Sequence, residues 1–312
     1  MRFLSAHAQH IGSRSYQQDF LGFADPGDEA FLAHGGFLAV LCDGMGGMQH
    51  GDVASLTAVR AMLDAYARKT PEETIPEALE RSARAANAQV VEAALRLRAK
   101  EGVGTTLVAA VLLKDSLYFF SVGDSALFHV HEGQVQTVNR PHVFSNLLDR
   151  AVASGQLSKA EAARHPERDA LTSFIGIPEL EEIDRNLEPW PVGEGDTILL
   201  ASDGMFKTLA ADAIVECLKG HPQSWPAALV ARTLAERSPS QDNVTVMTVT
   251  FDTGTLGEWV PPVEESVVSG NYFWDRSVTE RSLTGWNRWL MVAAVLLLVA
   301  LGLGGLWYFS GR

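Results

Sequence analysis

The sequence predicts an α+β fold in which antiparallel strands are covered by long helices. Residues 49–68 and 72–99 form two alanine-rich helical patterns, which are typical of amphipathic helices that cover a sheet. Three short apolar runs follow, and the pairs Lys114-Asp115 and Glu132-Gly133 fit hairpin turns, which predicts an antiparallel meander. These predicted strands are residues 106–113, 117–122 and 126–131.

The N-terminal segment predicts a strand at residues 2–10 and then a polar loop that carries Arg14 and Asp19. The guanidinium fork of an arginine is well matched to phosphate oxygens, and an aspartate can hold a metal directly or through water. A surface arginine and a turn aspartate explain the same two residues. Residues 25–36 are rich in turn formers and predict a loop.

The apolar run 37–42 predicts a buried strand with Asp43 at its end. Gly44, Gly46 and Gly47 follow closely, and their bare backbone allows a ligand to approach the main chain. An isolated buried carboxylate is very costly, so Asp43 must be paired, bound to a metal or exposed to a cleft. A tight strand-to-helix turn capped by an aspartate is the alternative interpretation.

The remaining part of the predicted domain contains a polar insertion and further strands and helices. Residues 139–176 are helical in pattern and predict a flap beside a site. Capping boxes at 70–73 and 158–161 predict helix starts. The other predicted elements are strands 181–187, 196–201 and 244–251 and helices 209–218 and 223–237.

Four aspartates stand where predicted strands meet turns that contain glycine, serine or asparagine. They are Asp43, Asp124, Asp203 and Asp242. Carboxylates gathered from distant parts of a chain suit a hard cation, which prefers oxygen ligands. Each aspartate alone is better explained by turn chemistry, but together with Arg14 and Asp19 they favour a metal centre.

The charge balance argues against one class of partner. The formal net charge is −13, which does not suit an electrostatic nucleic-acid binder. We therefore expect no nucleic-acid partner. An acidic chain that handles anionic substrates needs cations near its site, from arginine or from metal ions.

The C-terminal stretch 290–309 carries no charge and is long enough to cross a bilayer as a helix. Aromatic residues lie at both of its ends, as they do at membrane interfaces. Arg276, Arg281 and Arg288 precede the stretch and only Arg312 follows it, which favours a cytoplasmic N-terminal part. The predicted organisation is a domain at 1–252, a linker at 253–288 and a transmembrane helix at 289–309.

The motifs taken together resemble the bacterial type 2C (metal-dependent, PPM-type) protein serine/threonine phosphatases. The matching segments are Arg14 to Asp19, Asp43 to Gly47, Gly104 to Thr106, Gly123 to Ser125, Ser202 to Gly204 and Asp242 with Asn243. The resemblance covers residues 1–251. It implies a four-layer α-β-β-α sandwich of two antiparallel sheets flanked by helices, to which the C-terminal transmembrane helix is added.

The resemblance also implies a centre of two Mn²⁺ or Mg²⁺ ions. Asp43 would bridge the two ions, with the Gly44 carbonyl on one of them, and Asp19 would act through water. Asp124 and Asp203 would hold a third, weaker ion. The implied metal ligands are therefore Asp19, Asp43, Gly44, Asp124, Asp203 and Asp242.

Arg14 and Asp43 are the implied catalytic residues, with Arg14 binding the substrate phosphate. Two ions lower the pKa of a shared water, so that hydroxide attacks phosphorus directly. Some positions depart from the family pattern. Met45 stands where many eukaryotic members have a histidine, Ala126 replaces a frequent arginine, and residues 141–143 keep only His142, which we expect to be structural.

Two functional hypotheses follow. The first is a membrane-tethered enzyme at the cytoplasmic face of the inner membrane, acting on phosphoserine and phosphothreonine proteins and opposing a serine/threonine kinase. The second is a catalytically silent member that serves as a binding or regulatory module. Asp43, Asp203 and Asp242 are all present, which favours the enzyme because a silent member is expected to lack at least one of them.

Overall fold

The computed structural model describes residues 2–45, 50–99, 103–252, 254 and 256. The predicted transmembrane helix and, apart from Gly254 and Leu256, the predicted linker lie outside these residues. Within the described part of the chain, no helix is long and apolar enough to cross a membrane.

The described strands form two antiparallel sheets. Sheet I has the order β1-β11-β10-β6-β7, and sheet II has the order β2-β3-β4-β5-β8 with β9 also paired to β5. The strands are β1 Arg2–His10, β2 Asp19–Phe23, β3 Phe37–Asp43, β4 Leu107–Leu113, β5 Ser116–Val122, β6 Ala126–His131, β7 Gln134–Thr137, β8 Asp184–Arg185, β9 Trp190–Pro191, β10 Thr197–Ala201 and β11 Val244–Asp252.

Helices connect and cover these strands. They are α1 Glu29–Gly35, α2 Gly51–Tyr66, α3 Ile75–Leu97, α4 Ser145–Ala153, α5 Lys159–Ala163, α6 Asp203–Phe206, α7 Ala211–Cys217 and α8 Trp225–Ala235. A short 3₁₀ turn, Pro222–Ser224, precedes α8.

The main core lies between the two sheets. Alternate residues of the strands point into it because successive side chains of a strand face opposite sides. Sheet II contributes residues such as Phe23, Leu41 and Phe119, and sheet I contributes residues such as Leu127 and Leu200. All of β3 up to Cys42 is buried, as the apolar run predicts, because its other face is covered by helix.

The outer faces of the sheets are covered by different helices. Helices α2 and α3 pack on sheet II, and α8 packs on β1 and β11 of sheet I. A second apolar cluster joins sheet I to α6, α7 and α8 through residues such as Met205, Ile214 and Leu229. The four-layer α-β-β-α order of the domain is therefore confirmed.

Several local predictions are corrected by the structure. The loop predicted at 25–36 contains α1, whose start is capped by Asp28. Helix α3 begins at Ile75 because the capping box is formed by Thr74 and Glu77 instead of residues 70–73. The strand predicted at 181–187 is reduced to β8, while β7 and β9 were not predicted. These three strands are short edge strands, which carry little apolar pattern.

Candidate functional site

The pairing of β2 with β3 places two of the predicted metal ligands side by side. Asp19 is the first residue of β2, Asp43 is the last residue of β3, and the two lie directly opposite each other in the antiparallel ladder. Opposed carboxylates destabilise a strand pair. This register therefore indicates a functional constraint at this end of sheet II.

Asp19 has one satisfied and one unsatisfied oxygen. The residue is 1% exposed. Its Oδ2 accepts hydrogen bonds from Ser202 Oγ at 2.8 Å and from Thr245 Oγ1 at 2.7 Å. Thr245 lies in β11 of sheet I, and Ser202 directly follows β10. Its Oδ1 is buried and has no hydrogen-bond partner among the described residues. A buried carboxylate oxygen without a donor suits a cation or a metal-bound water.

The Gly-Thr-Thr motif holds the backbone of Asp43. The Asp43 N–H donates to Thr106 Oγ1 at 2.9 Å, and Thr105 Oγ1 donates to the Asp43 carbonyl at 2.7 Å. The Thr106 N–H donates to the same carbonyl at 2.8 Å. These hydrogen bonds fix the backbone of Asp43 and involve neither oxygen of its carboxylate.

Gly44 is required by close backbone contacts. A Cβ atom at this position would lie 2.4 Å from the Gly51 carbonyl oxygen and 2.7 Å from that of Gln18. The Gly44 N–H donates to the same Gln18 oxygen at 3.1 Å. Gly46 and Gly47 lie outside the described residues.

Asp203 and Asp242 are brought together by the turns before α6 and β11. Asp203 is the first residue of α6 and follows directly from buried Ser202 at the end of β10. Asn243 links the loops, because its Oδ1 accepts from the Gln18 N–H at 2.7 Å and its Nδ2 donates to the Ile11 carbonyl at 2.8 Å. This arrangement fixes the position of the neighbouring Asp242.

The electrostatics show that the predicted aspartates form one cluster. Burial, followed by the charges of Asp19, Asp203, Asp124 and Asp242, raises the pKa of Asp43. Burial also raises the pKa of Asp19, although its two hydroxyl donors oppose the shift. Carboxylates in this arrangement need positive charge to stay ionised. The donor set therefore fits hard divalent cations.

Two basic side chains pair with the cluster. Arg14 Nη2 donates to Asp242 Oδ2 at 2.5 Å. Lys207 Nζ donates to Asp124 Oδ2 at 2.8 Å and to Asp203 Oδ2 at 2.7 Å. Burial lowers the pKa of Lys207, but the two carboxylates outweigh it and raise that pKa overall. The structure thus brings Arg14 and the predicted aspartates together.

Lys207 was not predicted as a site residue. Its spacing of four residues from Asp203 is the signal that could have identified it, because side chains four apart in a helix lie on the same face. The contact with Asp124, which is 83 residues away in sequence, could not be predicted from local spacing.

The predicted flap contacts the turn that carries Asp124. The His142 N–H donates to the Gly123 carbonyl at 2.9 Å, and the Gly123 N–H donates to His142 Nδ1 at 3.2 Å. His142 is buried. These contacts agree with the structural role expected for His142, which anchors the beginning of the flap segment.

A second group of potential ligands is formed by His129, His131 and Asp196. Among the described residues it is the one group of three whose ligand atoms all lie within 4.8 Å of one another. No three aspartates of the predicted centre that the structure describes lie that close together. Asp196 Oδ2 binds His129 Nε2 at 2.8 Å, while Trp190 Nε1 donates to His129 Nδ1 at 3.1 Å. His129 therefore has both ring nitrogens occupied, and the group is a satisfied hydrogen-bond network.

Comparison with known proteins agrees with the motifs and the fold. The family model for protein phosphatase 2C matches residues 7–242. The serine/threonine phosphatase stp of Listeria welshimeri is 31% identical over 215 residues, which cover 68% of this chain and 83% of that protein. The S. agalactiae serine/threonine phosphatase structure has a TM-score of 0.67 and 27% identity, and the match covers 80% of this chain and 100% of that one.

A structure of the catalytic domain of the phosphatase PstP in complex with two manganese ions has the same fold. Its TM-score is 0.62 at 23% identity, covering 80% of this chain and 97% of that one. Type 2C phosphatases use Mn²⁺ or Mg²⁺. The chain therefore belongs to the protein phosphatase 2C family and is a protein serine/threonine phosphatase.

Proposed function

We propose that the chain hydrolyses phosphoserine and phosphothreonine at a centre of two Mn²⁺ or Mg²⁺ ions. Asp43, the Gly44 carbonyl, Asp203 and Asp242 would hold the ions, with Asp43 as the ligand that they share, and Asp19 would contribute through a bound water. The observation that carries this proposal is the convergence of Asp19, Asp124, Asp203 and Asp242 around Asp43, where burial and then the charges of these carboxylates raise the pKa of Asp43.

The bound ions would lower the pKa of a water molecule, making hydroxide available near neutral pH, and would polarise the phosphoryl oxygens. Asp19 has an open buried oxygen, Oδ1, that can accept a hydrogen bond from such a water. The Ser202 and Thr245 hydroxyls keep its other oxygen directed toward sheet I.

Arg14 is the proposed binding residue for the substrate phosphate. Its side chain is 45% exposed and its Nη2 is held by Asp242. A guanidinium has five N–H donors in a planar fork, so the pairing leaves further donors for phosphate oxygens. Asp242 would thus orient Arg14 as well as bind a metal ion.

The direct test is phosphate release from a phosphothreonine peptide by the purified full-length chain. We expect turnover with Mn²⁺ or Mg²⁺, none with EDTA, and a loss of roughly 100-fold or more for Asp43→Asn, because changing even an outer-shell partner of a metal costs 10- to 100-fold. Asp115→Asn is the matched control, since Asp115 lies in the turn after the distal end of β4.

A folded wild-type chain that releases no phosphate with either metal would contradict the proposal. The silent binding module would then become the leading interpretation. Activity that persists unchanged in Asp43→Asn would contradict the assignment of the bridging ligand.

We also propose that residues 289–309 anchor the enzyme to the inner membrane, with the catalytic domain in the cytoplasm. The uncharged stretch and the arginines that precede it support this topology. A tethered phosphatase would act on phosphoproteins near the membrane, among them a serine/threonine kinase or its substrates.

Membrane fractionation tests the anchor. We expect the full-length chain to stay in the membrane pellet after alkaline carbonate extraction and a variant lacking 289–309 to leave it. Release of the full-length chain by carbonate would contradict the transmembrane assignment.

A further inference from the structure

The Lys207 ammonium lies between two carboxylates that belong to different parts of the fold. Asp124 is in the turn between β5 and β6, and Asp203 follows β10. The distances from Lys207 Nζ to their Oδ2 atoms are 2.8 Å and 2.7 Å. These are the same two aspartates that the family resemblance assigns to a third, weaker divalent ion.

The backbone fixes the origin of the lysine side chain. The Lys207 N–H donates to the Asp203 carbonyl at 2.9 Å. Lys207 directly follows α6 and lies one helical turn after Asp203, so the two side chains leave the chain on the same side. Asp124 is held by its own turn, where Gly123 adopts a φ of +97° and is bonded to His142. The side chain therefore spans two carboxylates whose positions are set independently.

The exposure of the three side chains argues against an ordinary surface ion pair. The Lys207 side chain is 45% exposed, while those of Asp124 and Asp203 are 9% and 22% exposed. An exposed helical pair has one acid as its partner and contributes little. Here one ammonium is shared by two largely buried acids, which need a cation more than surface acids do.

We propose that Lys207 is a tethered cation that takes the place of the third divalent ion, so that this phosphatase operates with a two-ion centre. The inference rests on the proposed two-ion function. Lys207 binds only the Oδ2 atom of Asp203, which leaves Oδ1 for the main centre. A divalent ion between Asp124 and Asp203 would have to displace the ammonium from both oxygens.

Lys207 is accordingly a positioning residue, because its ammonium binds Asp124 and Asp203 and acts through them. Its positive charge neutralises part of the acidic cluster at every metal concentration, whereas a weakly bound ion would do so only at high concentration. We therefore expect one class of metal sites in the wild-type chain and an additional weak site when the ammonium is removed.

The test is the number of Mn²⁺ ions bound per full-length chain, measured by equilibrium dialysis with elemental analysis up to millimolar Mn²⁺. We expect two ions for the wild type and three for Lys207→Met, which keeps an aliphatic side chain but removes the charge. Lys207→Arg keeps the charge and should bind two. The double variant Lys207→Met/Asp124→Asn should return to two, because the additional site loses a ligand.

Circular dichroism establishes that each variant is folded, and Lys207→Gln replaces Lys207→Met in the comparison if the latter does not fold. Three ions on the wild-type chain, or two on the neutral variants, would overturn the role of Lys207 and leave the two-ion phosphatase intact. Fewer than two ions on the folded wild type would overturn both, since the proposed function itself requires two.

Discussion

Asp19 illustrates how neighbouring side chains prepare a single carboxylate for a ligand. The hydroxyls of Thr245, in sheet I, and of Ser202, directly after β10, satisfy one oxygen. The other oxygen is buried without a donor among the described residues. The sequence indicates that Asp19 belongs to the site, but it does not reveal these partners. Ser202 and Thr245 lie about 180 to 230 residues away along the chain, so only the packing of the two sheets brings them to Asp19.

His7 gives a prediction about pH at the residue scale. It is 5% exposed and lies beside Phe23 of the opposite sheet. Burial lowers its pKa to about 4, whereas an unfolded histidine titrates near 6.5. Between these values the unfolded chain binds more protons. The His7 contribution to stability is therefore complete above about pH 6.5 and falls by about 3 kcal/mol as pH drops to about 4.

Urea unfolding of the metal-free chain across this pH window measures the effect. We expect His7→Leu to show a weaker decline of unfolding free energy with falling pH than the wild type. His50→Gln changes an exposed histidine and should keep the wild-type decline. Equal slopes for the wild type and His7→Leu would show that His7 binds its proton at the same pH in the folded and unfolded chains. That result would contradict the lowered pKa of the folded state.

At the scale of elements, the turns after β3 and β10 position the site more than the strands do. The first turn of α6, close after β10, contains Gly204, where a Cβ atom would lie 2.0 Å from the Asn243 carbonyl oxygen. The first turn of α6 therefore abuts the loop that carries Asp242. The absence of a side chain at this glycine allows the two metal-ligand candidates to approach each other.

Gly204→Ala should push these two turns apart. We expect a loss of about 1–3 kcal/mol in unfolding free energy, typical of overpacking, together with weaker Mn²⁺ binding. Gly193→Ala is the matched control, because its added Cβ would make only an ordinary contact with Asp196 Oδ2 at 3.7 Å. Urea unfolding and Mn²⁺ titration measure both effects. Unchanged Mn²⁺ affinity in Gly204→Ala would contradict the coupling between the turns.

Elements with strong local signals could be predicted from the sequence. The apolar run of β3 and the meander β4 to β6 agree with the structure to within a residue or so. Helix α1 was missed because glycine, proline and aspartate around it suggest turns. The start of α3 was misplaced because two threonine-plus-glutamate spacings compete, and the structure uses the second, Thr74 with Glu77.

At the scale of the whole molecule, stability and site geometry depend on the same inter-sheet core. Sheet II provides Asp19 and Asp43, while β11 of sheet I provides Thr245, and β10 of the same sheet leads directly into Ser202 and Asp203. The packing between the sheets therefore sets the relative position of the ligands. The pairing of β1 with β11 joins the two ends of the domain, and such non-local pairing could not be predicted from local pattern.

Leu200→Ala tests the importance of this core. Leu200 is fully buried between the sheets, and we expect a loss of about 2–5 kcal/mol in unfolding free energy from lost burial and the resulting cavity. Leu95→Ala, in an exposed part of α3, should change it by no more than about 0.5 kcal/mol. Urea unfolding compares the two variants. Equal losses would contradict the position of the core.

The central claim is that Asp43 bridges two metal ions, and electron paramagnetic resonance tests it most directly. With two equivalents of Mn²⁺ added to the full-length chain, we predict the spectrum of an exchange-coupled pair. Asp43→Asn should give the spectrum of isolated ions, while Asp115→Asn should match the wild type. Uncoupled Mn²⁺ in the wild type, or a coupled pair that survives in Asp43→Asn, would contradict the account.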